Sequence, residues 1–160
     1  MTTAGRSDRD VVAELLGREP LAAFDVVVRR PDGTPMVIRN AAMLADRRPM
    51  PTRYWLVDPE LNRAIGRIKA AGGVDRAEAE IDADVLVGTH RRYADERDAD
   101  LPPDHDGPRP SGGVGGTRIG VKCLHAHYAH HLGDLALGGP GDPVGEWVAE
   151  RLAEEGADRV

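Results

Sequence analysis

Phe24-Asp25-Val26-Val27-Val28-Arg29-Arg30, then Pro31-Asp32-Gly33-Thr34, then Pro35-Met36-Val37-Ile38-Arg39-Asn40-Ala41 is the stretch that decides the fold. Two β-branched runs flank turn chemistry: proline presets φ at the turn's second position, and glycine accepts a positive φ. The pattern predicts an antiparallel hairpin, residues 24–30 pairing with 35–41. Tyr54-Trp55-Leu56-Val57 follows as a third short strand and supplies aromatic core.

Around these strands the chain reads as helices. Upstream, Asp8 is placed to cap a helix carrying Val11, Val12, Leu15 and Leu16 on one face, with Gly17 as its stop. Downstream, Asp58-Pro59-Glu60 opens a second helix: a capping carboxylate, proline at the first position, then an acid beside the positive end of the dipole. Residues 75–98 read as one long charged helix or two short ones. Residues 99–120 form a Pro/Gly-rich loop, which in a compact domain is usually functional or disordered; over 100–116 it is expected to be mobile or to act as a lid. Asp142-Pro143 opens a last helix reaching Leu152, with Val144, Trp147, Val148 and Leu152 facing inward. The expectation is α+β: a small antiparallel sheet, hairpin plus third strand, covered on one face by about four to five helices. Residues 8–153 make a single domain, with flexible ends at 1–7 and 154–160.

Charge and composition narrow the function. The net charge is -6, and arginine stands for lysine nearly everywhere, only Lys69 and Lys122 being present. Nucleic acid is therefore not an expected partner, since non-specific binding needs a basic surface. The single cysteine rules out an internal disulfide and fits a reducing compartment. Met1 to Asp10 carries no apolar run, and no segment approaches the roughly 18 apolar residues of a membrane span. A cytoplasmic protein with no membrane partner is expected.

Reactive side chains concentrate in Gly112-Gly113-Val114-Gly115-Gly116-Thr117-Arg118-Ile119-Gly120-Val121-Lys122-Cys123-Leu124-His125-Ala126-His127-Tyr128-Ala129-His130-His131-Leu132. If 121–132 is one straight helix, Cys123, His127 and His130 share a face with His131 at its edge, and Val121, Leu124, Tyr128 and Leu132 form the opposite stripe. His125 then lies about 160° from Cys123, so the two meet only if the helix starts after Cys123.

Lys122-Cys123-Leu124-His125 with Ala129-His130, the later Gly141-Asp142-Pro143-Val144-Gly145-Glu146-Trp147 and the Pro51-to-Pro59 stretch resemble a bacterial family catalogued as domain of unknown function number 501. The resemblance spans roughly residues 10 to 152. The family pattern runs K-C-L-H, A-H, then N-P-x-G; here Asp142 stands where asparagine is usual, and Arg30 where many relatives carry a cysteine. The resemblance implies no particular activity, cofactor or catalytic residue.

Four readings of the site follow. Cys123, His127, His130 and His131 have the chemistry and helical spacing of ligands for a zinc-like metal, completed by the 100–116 loop, His90 or His105. The glycine-rich loop is placed to bind a small anion, with Thr117, Arg118, Lys122 and His125 as its contacts. Cys123, near a helix start and beside histidines, is a candidate catalytic thiol. Finally, Trp55, Trp147 and the acidic 75–98 run suit a protein-interaction module without chemistry.

Overall fold

The computed structural model describes residues 5–156; residues 1–4 and 157–160 of the expected flexible ends lie outside it. Strands β1 (Phe24–Arg29), β2 (Pro35–Asn40) and β3 (Tyr54–Leu56) form an antiparallel sheet in the order β1-β2-β3. The hairpin turns as its chemistry requires. Gly33 has φ 90° and donates its N–H to the Arg30 carbonyl at 2.8 Å, while Asp32 Oδ1 accepts from Thr34 N–H at 2.9 Å. A register shift between Val26 and Val28 lets Val27 and Val28 both pack toward the main core.

Six helices are present among the described residues, against the four to five expected: α1 (Asp8–Leu16), α2 (Pro59–Ala70), α3 (Gly73–Glu80), α4 (Ala83–Asp98), α5 (Leu124–Ala136) and α6 (Pro143–Glu154). The extra helix arises where the charged 75–98 run divides: Ile81 leaves the helix in an extended conformation and Asp82 caps the next one. The cap of α1 is Ser7 rather than Asp8; its hydroxyl accepts from Asp10 N–H at 3.2 Å. Asp58 and Asp142 cap α2 and α6 as their Asp-Pro sequences predict. Asp58 also pairs with Arg30, fastening the hairpin turn to the start of α2.

The sheet is covered on both faces, not one. Tyr54, Leu56, Val37 and Val28 face the large core with Leu61, Ile65, Leu124, Ala129, Val144 and Val148. Ile38 and Val57 face the other way, against Val12 with Leu15 and Leu16 of α1. Alternation along β3 makes both faces apolar, so each needs a cover. Helix α5 lies at the centre, against all three strands, α2 and α6. No helix among the described residues is long and apolar enough to cross a membrane.

Candidate functional site

Helix α5 starts later than a continuous 121–132 helix would. Gly120 has φ 65°, a left-handed conformation suited to glycine, and the chain stays extended through Cys123 (φ -139°, ψ 111°). Cys123 is the N-cap, its Sγ accepting from Ala126 N–H at 3.4 Å. The wheel that set Cys123 apart from His125 therefore does not apply. The thiol and the imidazole instead line one cleft, near enough to act on each other's charge. Imidazole Nε2 donates to the Asn62 carbonyl at 3.0 Å, which leaves Nδ1 for the thiol. Asn62 is itself fixed, its side-chain amide donating to the Leu56 carbonyl at 3.0 Å.

The electrostatics follow from this contact. Burial alone would push the Cys123 thiol up, but the neighbouring His125 and the Ala126 N–H outweigh it, and the thiol lies below its ordinary value. The neighbouring Cys123, ahead of the opposing effect of burial, holds His125 above its ordinary value. Both shifts favour a thiolate beside an imidazolium. The pair opens into a cleft of about 330 Å³ walled by Thr52, by Tyr54, Trp55 and Leu56 of the third strand and by Gly115 from the loop. Gly115 (φ 67°) brings loop backbone against the thiol; a Cβ there would lie 3.4 Å from Cys123 Cβ.

His127 and His130 face inward on the next turns of α5, both buried. Each donates its Nδ1–H to the same oxygen, Asp142 Oδ2, at 2.8 Å. The other carboxylate oxygen caps α6, accepting from Val144 N–H at 2.8 Å and Gly145 N–H at 3.2 Å. Burial opposes a charge on Asp142, but the two histidines outweigh it and hold its carboxyl well below the usual carboxylate range. His131 Nδ1 accepts the Asp142 backbone N–H at 2.9 Å. His127 Nε2 is buried without a hydrogen-bond partner.

The four residues expected as metal ligands thus divide between two places. Cys123 turns to His125; His127, His130 and His131 turn to Asp142. Among the described residues, no group of three or more His, Cys, Asp or Glu is arranged to hold a metal ion. The anion contacts also separate. Thr117 closes its own loop through Ile119, Lys122 is exposed, and Arg118 lines a different cavity from the one containing His125. His105 bonds within its own loop, Nε2 donating to the Pro108 carbonyl at 2.8 Å.

His90 pins the glycine-rich loop at both ends. Its Nε2–H donates to the Gly120 carbonyl at 2.8 Å, and its Nδ1 accepts Val114 N–H at 3.1 Å. Arg97, also buried, donates to the Gly112 carbonyl at 3.0 Å. Asn62, and the histidine-holding half of Asp142, carry no signal in the sequence. The first acts through its backbone, and the second through an oxygen that a capping aspartate does not need. The tryptophans are packed rather than displayed: Trp147 is buried, its Nε1 donates to Glu80 and Arg151 lies 4.4 Å above its ring, while Arg18 covers half-buried Trp55 at 5.2 Å.

No curated protein and no solved structure matches the chain. A family model does match over residues 26–150, from the first strand into α6, and so includes Cys123, His125, the histidine–aspartate cluster and the loop that His90 pins. By that match the chain belongs to the family described as protein of unknown function (DUF501).

Proposed function

We propose that the chain is a thiol-dependent group-transfer catalyst, with Cys123 as nucleophile and His125 as its base. The observation that supports this is that Cys123 and His125 line one cleft, with His125 oriented by the Asn62 carbonyl: nucleophile, base and a third group that fixes the base. The cleft beside the thiol is mostly apolar and aromatic, which suits a small carbonyl compound with an apolar body. In the first half-reaction the thiolate sulfur forms a bond to the carbonyl carbon. His125 gives its proton to the leaving group as the bond between that group and the carbonyl carbon breaks. In the second, His125 takes a proton from water, whose oxygen displaces sulfur and returns the thiolate.

Alkylation by iodoacetamide tests the pair. In the wild type the rate follows a pH profile whose midpoint lies below that of a free cysteine, near 8.5. His125→Asn shifts that midpoint upward and slows alkylation at neutral pH by about tenfold. Incubation with p-nitrophenyl acetate gives a 42-dalton adduct on Cys123, the mass of one acetyl group replacing a hydrogen. An ordinary cysteine profile, unchanged by His125→Asn, sinks the reading.

A second reading keeps a zinc-like metal at the other cluster. Histidines that bind metal commonly donate their second N–H to a carboxylate, as His127 and His130 do to Asp142, and His127 Nε2 is a buried donor atom without a partner. Metal content of protein purified without a polyhistidine tag separates the two readings: stoichiometric zinc lost in His127→Gln supports this one, and its absence removes it.

A further inference from the structure

A second cavity, of about 320 Å³, shares no lining residue with the Cys123 cleft. One wall is α4, contributing Arg91 and a floor of Val87 and Ala94; the other is the loop, contributing Pro110, Ser111, Gly112 and Arg118. Arg91 and Arg118 are exposed, and among the described residues neither makes a hydrogen bond or an ion pair. Two uncommitted guanidinium groups on one cavity stand out in a chain whose net charge is -6. The buried and half-buried arginines among the described residues are paired, as Arg53 is with Glu96 and Asp100, Arg92 with Asp134 and Arg151 with Glu80. The one acid on the cavity wall, Asp98, is already engaged by the buried Arg97 at 3.1 Å.

We propose that this cavity binds a small organic phosphate, a phosphomonoester whose oxygens meet Arg91 and Arg118 and whose apolar body lies on Val87, Ala94 and Pro110. A guanidinium presents planar paired donors that match phosphate oxygens, and two of them neutralise a dianion where a single carboxylate would leave one charge unmet. The space exceeds what inorganic phosphate fills, and its apolar floor gives an organic substituent somewhere to bury. The loop wall is fixed before any ligand arrives. Arg97 grips the Gly112 carbonyl, next to Ser111, and His90 holds Val114 and Gly120, so Arg118 is carried on backbone tied to α4 on both sides of it. A Cβ on Gly113 would meet His90 Cβ at 2.5 Å, so this closeness of loop to helix depends on glycine.

Calorimetric titration with phenyl phosphate, inorganic phosphate and benzoate tests the assignment on the full chain. Phenyl phosphate is expected to bind one to one, at least tenfold tighter than either of the others, with affinity falling as salt rises. Arg91→Gln and Arg118→Gln each weaken it at least tenfold, and both together abolish it. Both side chains are exposed, so urea midpoints of the variants stay at the wild-type value and loss of binding is not loss of fold. Cys123→Ser leaves phenyl phosphate affinity unchanged, which separates this site from the thiol cleft. No saturable binding at millimolar phenyl phosphate, binding that survives both substitutions, or benzoate binding as tightly as phenyl phosphate would each overturn the proposal.

Discussion

Asp142 does two jobs with two oxygens. Oδ1 caps α6, and Oδ2 accepts from both His127 and His130. Removing it strips a helix cap and leaves two buried imidazole N–H groups unmet. Asp142→Ala is therefore expected to cost about 3 kcal/mol or more in urea unfolding at neutral pH. Asp142→Asn keeps the capping oxygen and is expected to cost less than half as much. The pH dependence has a definite sign. The folded carboxyl lies below its unfolded value, so its contribution is complete above the ordinary carboxylate range, near 3.9, and is lost as pH falls through and below it. His90 and His131 act in the same direction at higher pH. Burial, the largest cause, holds both below their ordinary value, so the unfolded chain takes up protons first and stability falls as pH drops through about 6.5. Unfolding midpoints at pH 7, 5 and 3 should decline in two stages, and Asp142→Asn should remove most of the second. A flat profile from pH 7 to 3 would contradict both assignments.

The elements that could be read from the sequence are those whose signals are local. The hairpin needed only Pro31-Asp32-Gly33 and its flanking alternation, and the two Asp-Pro pairs fixed the starts of α2 and α6. The start of α5 could not be read this way. Cysteine is an unusual cap, and only the positive φ of Gly120 and the press of Gly115 against Cys123 explain why the helix waits until Leu124. That delay of a few residues decides which histidine lies beside the thiol, and it is the condition on which the helical wheel left the Cys123–His125 contact open. Close packing between elements depends on glycine in the same non-local way. At Gly145 an added Cβ would lie 2.2 Å from His131 Cβ and 2.7 Å from the His127 carbonyl, so Gly145→Ala must part α6 from α5 and should cost about 3 kcal/mol. Gly88, exposed in the middle of α4, has nothing within 4 Å, and Gly88→Ala should stabilise by about 0.8 kcal/mol through helix propensity alone. Thermal unfolding of the two variants should move in opposite directions; a matching loss in both would deny that packing, and not helix preference, sets the first.

Across the whole molecule, the sheet is enclosed between a small cluster under α1 and a large one under α5 and α6, and α4, which gives Leu86 and Tyr93 to the large cluster, is tied further by polar contacts. Tyr93 hydroxyl accepts from Arg53 N–H at 2.6 Å, Arg53 pairs with Glu96, and His90 reaches Gly120. Such long-range ties could not be read from local pattern, because each joins residues 30 to 43 positions apart. Bonds from Asp142 to His127 and His130 span only 15 and 12 positions. Sequence distance of this kind has a kinetic meaning. Closing a short loop loses less chain entropy, so contacts near in sequence can form before distant ones repay their closure. The α5–α6 pair is accordingly expected to be structured in the folding transition state, with α4 docking afterwards. In stopped-flow chevrons, Val148→Ala should slow folding, while Tyr93→Phe should mainly speed unfolding. The opposite partition would place the nucleus on α4. One carboxylate shared by two neighbouring helices then determines the order in which the chain acquires its shape: the helices around the thiol form first, and the loop that walls them closes last.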